Sequence, residues 1–300
     1  MQNPNSIYIL SPLHFGCNTE TAKNNHFQHT LPNSKHLEQM GAKEHYLFRE
    51  LLQAFDIHTF TLQDDEEIVN SDAVFLNNWF SVMPDKTLVI YPMWARNRRT
   101  EVREETINFI KDRSDIQKVR DYRSFLDANQ FVEGTGSIIF DFEHKKAYAC
   151  ISERTDVRLF EKICTDLGYT PISFIAEDVR GNSIYHTNVM LSIGENIIVI
   201  CSEAISDTIE RQIALKNLTQ TNRCLMDISF EQMNQFAGNV FEVTNSKNEA
   251  ILCMSSTAKK AFTEAQLETL QQHCRIMAAP IPTIEKAGGG SVRCMIAANY

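Results

Sequence analysis

A chain of 300 residues, 43% hydrophobic and 22% charged, carries enough apolar side chains to bury a sizeable core, which excludes a disordered chain. Its net charge of −9 argues against a nucleic-acid backbone as the main partner, and the one basic cluster, over 96–103, is interrupted by Glu101 and followed by Glu104 and Glu105. No apolar run reaches the roughly 18 residues of a membrane span. The opening Met1-Gln2-Asn3-Pro4-Asn5 lacks the basic and apolar regions of a signal peptide, so the expected setting is cytoplasmic.

In chain order, the first legible elements are a strand over 6–10, a helix over 35–55 and a strand over 59–62. Strands over 73–80 and 87–92 and a helix over 100–113 follow. Then come hairpins over 137–152, 189–202 and 240–255, rich in β-branched and aromatic residues around turns such as Gly194-Glu195-Asn196 and Asn245-Ser246-Lys247-Asn248. After the first hairpin, Val157, Phe160, Cys164 and Leu167 share one helical face; after the third, Leu267, Leu270 and Cys274 do, with Thr263 and Gln266 at capping-box spacing. Apolar strands over 170–176 and 275–281 succeed these helices.

Hairpin, helix and strand thus recur at a spacing of roughly fifty residues, the mark of a repeated supersecondary unit. Counting the two more diverged units ahead of the hairpins, five units imply one α/β domain over 1–300 with pseudo-fivefold arrangement, helices outside and inner strand ends around a central cleft. The alternative, a doubly wound parallel sheet, has too many hairpins against it and no GxGxxG after an early strand.

The cysteines at 17, 150, 164, 201, 224, 253, 274 and 294 form no CxxC pair, which removes zinc-ribbon and thioredoxin-like readings, and most sit in apolar segments. Cys294 differs. It follows Gly288-Gly289-Gly290-Ser291-Val292-Arg293, and a glycine run suits a thiol at the floor of a cleft, while Arg293 and free backbone amides favour the thiolate. Glu133-Gly134-Thr135-Gly136 precedes the first hairpin and His186-Thr187-Asn188 the second. With Cys294 they would supply a nucleophile, a general acid and base, and an orienting carboxylate.

Those three segments resemble the signature segments of the guanidino-group-modifying superfamily, the pentein fold, over essentially the whole chain. The resemblance implies an α/β propeller of five ββαβ-like units. Asp72-Ala73-Val74-Phe75-Leu76-Asn77-Asn78 resembles the first substrate segment of dimethylarginine dimethylaminohydrolase, and Asn97-Arg98-Arg99-Thr100-Glu101 and Ser152-Glu153-Arg154-Thr155 its two arginine segments. Pro12-Leu13-His14-Phe15-Gly16-Cys17-Asn18 and the run from Phe75 to Phe80 resemble the bacterial branch of citrulline-utilisation hydrolases. By resemblance, Cys294, His186 and Glu133 are catalytic. Asp72, Phe75, Asn77, Asn78, Arg98, Arg154, Asn188 and Gly288 bind the substrate, the two arginines gripping its carboxylate. The implied reaction needs no metal or organic cofactor and takes a small amino acid as substrate. A homo-oligomer stays open, since no pattern identifies an interface.

This chain has Asn78 and Asn188 where members that bind a guanidinium commonly have carboxylates. Losing two charged partners weakens cation binding by roughly 2–3 kcal/mol, or about 30- to 150-fold. An amide can also donate to a ureido oxygen. The expectation is therefore hydrolysis of citrulline to ornithine, with arginine deiminase, dimethylarginine hydrolase or amidinotransfer as alternatives and a noncatalytic binder less favoured.

Overall fold

A computed structural model describes residues 2–32 and 34–300. The repeat is present as five three-stranded sheets. The first contains β1 (Ser6–Ser11), helix Lys35–Ala54 and β2 (His58–Gln63). The second has β3 (Phe80–Val82), β4 (Thr87–Ile90), helix Glu104–Ser114 and β5 (Lys118–Asp121); the third has β6 (Ile139–Asp141), β7 (Lys146–Cys150), helix Val157–Leu167 and β8 (Thr170–Phe174). The fourth runs β9 (Leu191–Ile193), β10 (Ile197–Ile200), helix Thr208–Thr219 and β11 (Cys224–Asp227). The fifth runs β12 (Phe241–Thr244), β13 (Ala250–Ser255), helix Glu264–His273 and β14 (Arg275–Ala279).

In sheets two to five the first two strands form an antiparallel hairpin and the third adds in parallel after a helical crossover. Sheet one obtains its missing strand from the far end of the chain: β15 (Ala297–Asn299) pairs antiparallel with β1, Ser6 opposite Asn299. Strand β15 packs beside β3, β6 beside β9 and β9 beside β12. One cavity of about 40 Å³ is lined by residues of all five first strands, among them Ala298, Val82, Phe140, Ser192 and Phe241.

The first and third helices each bury an apolar stripe. Leu37, Phe48 and Leu52 of the first helix and Leu159, Phe160, Ile163 and Cys164 of the third are buried. Their first turns are closed by Ser34 and Asp156, whose oxygens accept from Leu37 and Leu159 amides at 3.2 and 2.9 Å. The Thr263/Gln266 capping box is present. Helix Thr208–Thr219 buries only Ala214 and Leu218 and turns Ile209 and Ile213 outward, so its periodicity is faint in sequence.

Two expectations need correction. Residues 73–79 are not strand: the chain turns, with the Phe75 amide bonded to the Asp72 carbonyl at 2.9 Å, and Leu76–Asn78 form a 3-10 turn before β3. The Asp72 and Phe75 carbonyls, which a strand would offer to a neighbour, are taken by Arg98 Nη2 at 3.2 and 3.1 Å. The helix expected from 100 starts at Glu104, because Arg96–Glu101 form a 3-10 turn ending in extended Val102 and Arg103.

Candidate active site

Immediately before its first strand, each unit makes an irregular turn, and these five turns carry the site. Asn77 and Asn78 precede β3, Glu133 precedes β6, His186 and Asn188 precede β9, Asn239 precedes β12, and Cys294 precedes β15. All are buried. The turns are tied together by short polar bonds: Ser137 Oγ accepts the Glu133 amide at 2.9 Å, and Thr187 Oγ1 donates to the Ser137 carbonyl at 2.5 Å while accepting the Cys150 amide at 2.8 Å.

His186 Nε2 lies 2.7 Å from Glu133 Oε2. The other carboxylate oxygen of Glu133 accepts the Trp94 amide at 2.9 Å, while Arg154 Nη1 approaches Oε2, the oxygen His186 meets, at 3.5 Å. Burial pushes Glu133 up, but Arg154 and His186 outweigh it and hold the carboxyl at about 2. Burial drives His186 down to about 4, against the pull of Glu133, so the ring is neutral and oriented by a carboxylate. Cys294 Sγ receives Asn239 Nδ2 at 3.3 Å and Asn188 Nδ2 at 3.4 Å. Burial raises the thiol, while the Ser291 backbone, Asn239, Arg293 and Asn188 pull it back. By contrast, burial leaves the Cys150, Cys164, Cys201 and Cys274 thiols at about 12.

Asp72, Phe75, Asn78, Arg98, Arg154, His186, Gly288 and Cys294 all line one small cavity of about 10 Å³, barely one water's space. Gly288 is needed there because a Cβ would lie 2.5 Å from the Phe75 ring. Asn77 lies behind this lining, its Oδ1 accepting Asn78 Nδ2 at 3.0 Å and its own Nδ2 without a partner. Asp72 Oδ2 accepts Thr21 Oγ1 and Asn18 Nδ2, both at 2.9 Å, and its Oδ1 is unpartnered.

The two arginines are placed differently. Arg98 is spent on protein: Nε and Nη2 clasp Glu101 at 2.7 and 2.9 Å, and Nη1 reaches Asn78 Oδ1 at 2.6 Å. Burial works against its charge, and Glu101 and Asp72 more than restore it. Arg154 gives Nε and Nη2 to a single amide oxygen, Asn24 Oδ1, at 2.9 and 2.6 Å, and Nη2 also to the Thr21 carbonyl at 2.9 Å. Its guanidinium sits over the Tyr185 ring at 4.8 Å.

Sequence reading assigned no role to Thr21, Asn24, Asn25, Tyr185 or Asn239. The first three belong to a segment without periodicity. Asn239 carried a signal, since it occupies the turn before a first strand, where every other unit already had a named residue.

Among the described residues no three side chains cluster as metal ligands, and no helix is long and apolar enough to cross a membrane.

A buried thiol, a neutral histidine held by a carboxylate and an arginine fork stand together on five three-stranded sheets, a site and an architecture of the pentein class. The family described as N,N dimethylarginine dimethylhydrolase, eukaryotic, matches residues 11–300. The chain belongs to that family, whose members hydrolyse C–N bonds of guanidino groups.

Among solved structures, the apo form of ArgZ, an arginine dihydrolase of cyanobacteria, superposes with TM-score 0.74 and 16% identity over 97% of this chain. This chain spans only 40% of the length of that protein. The N-terminal domain of ArgZ, covalently bound to a reaction intermediate, gives TM-score 0.75 and 15% identity over 98% of this chain and 97% of that domain. A dimethylarginine dimethylaminohydrolase adduct with 4-chloro-2-hydroxymethylpyridine gives TM-score 0.67 and 17% identity over 98% and 99% of the two chains. No curated protein sequence matches the chain.

Proposed function

We propose that this hydrolase acts on a neutral ureido amino acid, citrulline above all, and releases ornithine. The observation that carries the reading is the amide pair Asn78 and Asn188. Asn188 donates to the Cys294 sulfur at 3.4 Å and keeps a buried, unpartnered Oδ1 for a substrate N–H. A carboxylate there could not donate to sulfur and would repel a thiolate. Glu133 is already engaged by His186 and Trp94.

In this mechanism His186 takes the proton of the Cys294 thiol, and the thiolate so formed attacks the ureido carbon. As the C–N bond breaks, the departing nitrogen takes a proton from His186 and leaves as an amine, and the carbon stays on sulfur. Water then gives a proton to His186 and adds to that carbon, and the C–S bond breaks to return the thiolate. Glu133 stabilises the charged imidazole at each transfer. Arg154 grips the substrate carboxylate once Asn24 has left its fork. Pseudo-fivefold closure of the five sheets into a single domain over 1–300 belongs to the same reading and is supported by the cavity lined from all five first strands.

A guanidinium substrate is the second reading, favoured by the unpartnered Asp72 Oδ1 beside the cavity and in keeping with the arginine dihydrolases among the structural neighbours. Incubation of wild type and Cys294→Ser with citrulline, arginine and dimethylarginine decides between them. Ornithine from citrulline, lost in the variant, is the expected outcome; faster release of citrulline from arginine or dimethylarginine would overturn it.

A further inference from the structure

We propose that Asn239 is a catalytic residue of this enzyme, the amide that fixes the Cys294 sulfur for attack and stabilises it as the thiolate. The inference rests on Cys294 as nucleophile and not on which substrate is turned over.

Asn239 stands two residues before β12, wholly buried, and its side chain makes four bonds, one of them from the Cys294 thiol to Oδ1 at 3.7 Å. Oδ1 accepts the Arg293 amide at 3.1 Å, which anchors the backbone of the nucleophile turn. Nδ2 donates to the Asn188 carbonyl at 2.8 Å and to Cys294 Sγ at 3.3 Å. One amide therefore joins the turns of the acid–base residue and the nucleophile while touching the reacting atom. Its backbone cannot drift: a Cβ on the preceding Gly238 would fall 2.4 Å from the Val189 carbonyl, so the Asn239 turn is pressed on the His186 turn.

The sulfur is buried, which favours the neutral thiol. Two amide donors, Asn239 and Asn188, oppose that within hydrogen-bond reach. A neutral ureido substrate brings no positive charge to draw the proton off, so those donors matter most for such a substrate. The charged and titratable groups around the sulfur are Arg293 on its own turn, Tyr185 and His186 from the turn before β9, and Asp72, Arg98 and Arg154 across the cavity. Asn239 bonds to none of their side chains and meets only the Arg293 backbone amide, so Asn239→Asp, which keeps an oxygen for that amide, changes the sulfur's donors and leaves the surrounding charged side chains where they are.

The test is the rate of alkylation by iodoacetamide from about pH 6 to about pH 10, in Asn239→Ala and Asn239→Asp, with Cys294→Ser giving the background from the other cysteines. Iodoacetamide is uncharged and needs no substrate site, so its result is separable from the choice between citrulline and arginine. With Asn239→Ala the midpoint rises by about one unit, alkylation near neutral pH falls about tenfold, and kcat falls while KM changes little. Asn239→Asp keeps an oxygen for the Arg293 amide, and so the turn, but puts a negative charge on the sulfur; its midpoint rises further. A merely structural role would lower the melting temperature and leave the profile of the folded protein unchanged. Profiles in both variants that superimpose on wild type would overturn the proposal.

Discussion

The two arginines of the pocket are opposites in construction. Arg98 faces a carboxylate of its own turn, two carbonyls and Asn78, all from the two turns that frame it, and nothing in that set has to move for substrate to enter. Arg154 faces Asn24 and Thr21, which belong to the covering segment between β1 and the first helix. An arginine whose partners are permanent shapes the site, whereas one whose partners can be exchanged binds. The family resemblance gives both the same task; on the reading proposed above, Arg98 holds Asn78 in place and Arg154 is the fork left for a carboxylate.

The difference breaks first at Glu101. Glu101→Gln leaves the Arg98 guanidinium buried against a neutral partner, and stability in urea unfolding should fall by about 3–5 kcal/mol. A loss below about 1 kcal/mol, the size of a surface pair, would remove the structural role.

Acid acts on the other side of the pocket. His186, and His45 on the buried face of the first helix, are held neutral by burial down to about 4, against 6.5 when exposed. Below 6.5 the unfolded chain binds protons that the native protein refuses. Stability is therefore complete above that pH and drains away as pH falls to about 4, each histidine giving a slope of up to about 1.4 kcal/mol per pH unit. His186→Asn should remove one histidine's share of the slope; an unchanged slope in urea titrations at successive pH values would contradict a neutral His186.

Arg154→Lys exchanges a planar fork for a point charge and should raise KM about 10- to 100-fold, with stability changed less than in Glu101→Gln. An effect on kcat alone would move Arg154 out of carboxylate binding. The smallest effect is expected from Asn24→Ala: freeing the fork of a competing neutral hydrogen bond should lower KM by roughly 2- to 10-fold. A rise in KM would make Asn24 part of the binding surface instead.

What the sequence disclosed follows the same division between local and distant bonding. Hairpins, the capped last helix and the turns that bring Glu133, His186 and Cys294 together were legible because alternation, a capping box and glycine-rich turns are local patterns. Residues 73–79 misled because Ala73, Val74 and Phe75 have the character of a strand, while the Asp72 and Phe75 carbonyls answer to Arg98, 26 and 23 residues away. Thr21 and Asn24 were invisible because their partners, Asp72 and Arg154, lie far along the chain. Asn239 was overlooked although the repeat had already marked its position.

The pairing of β15 with β1 has a temporal meaning. Asn299 and Ser6 are 293 positions apart, so this sheet closes only when nearly the whole chain is available. The turn that carries Cys294 leads directly into β15. Until that strand docks, the sulfur has neither its amide donors nor its histidine, and an unfinished molecule carries one more ordinary thiol. With Cys294 as the proposed nucleophile, its reactivity would report on completion of the fold, and in a refolding experiment rapid alkylation of Cys294 should appear together with the last sheet.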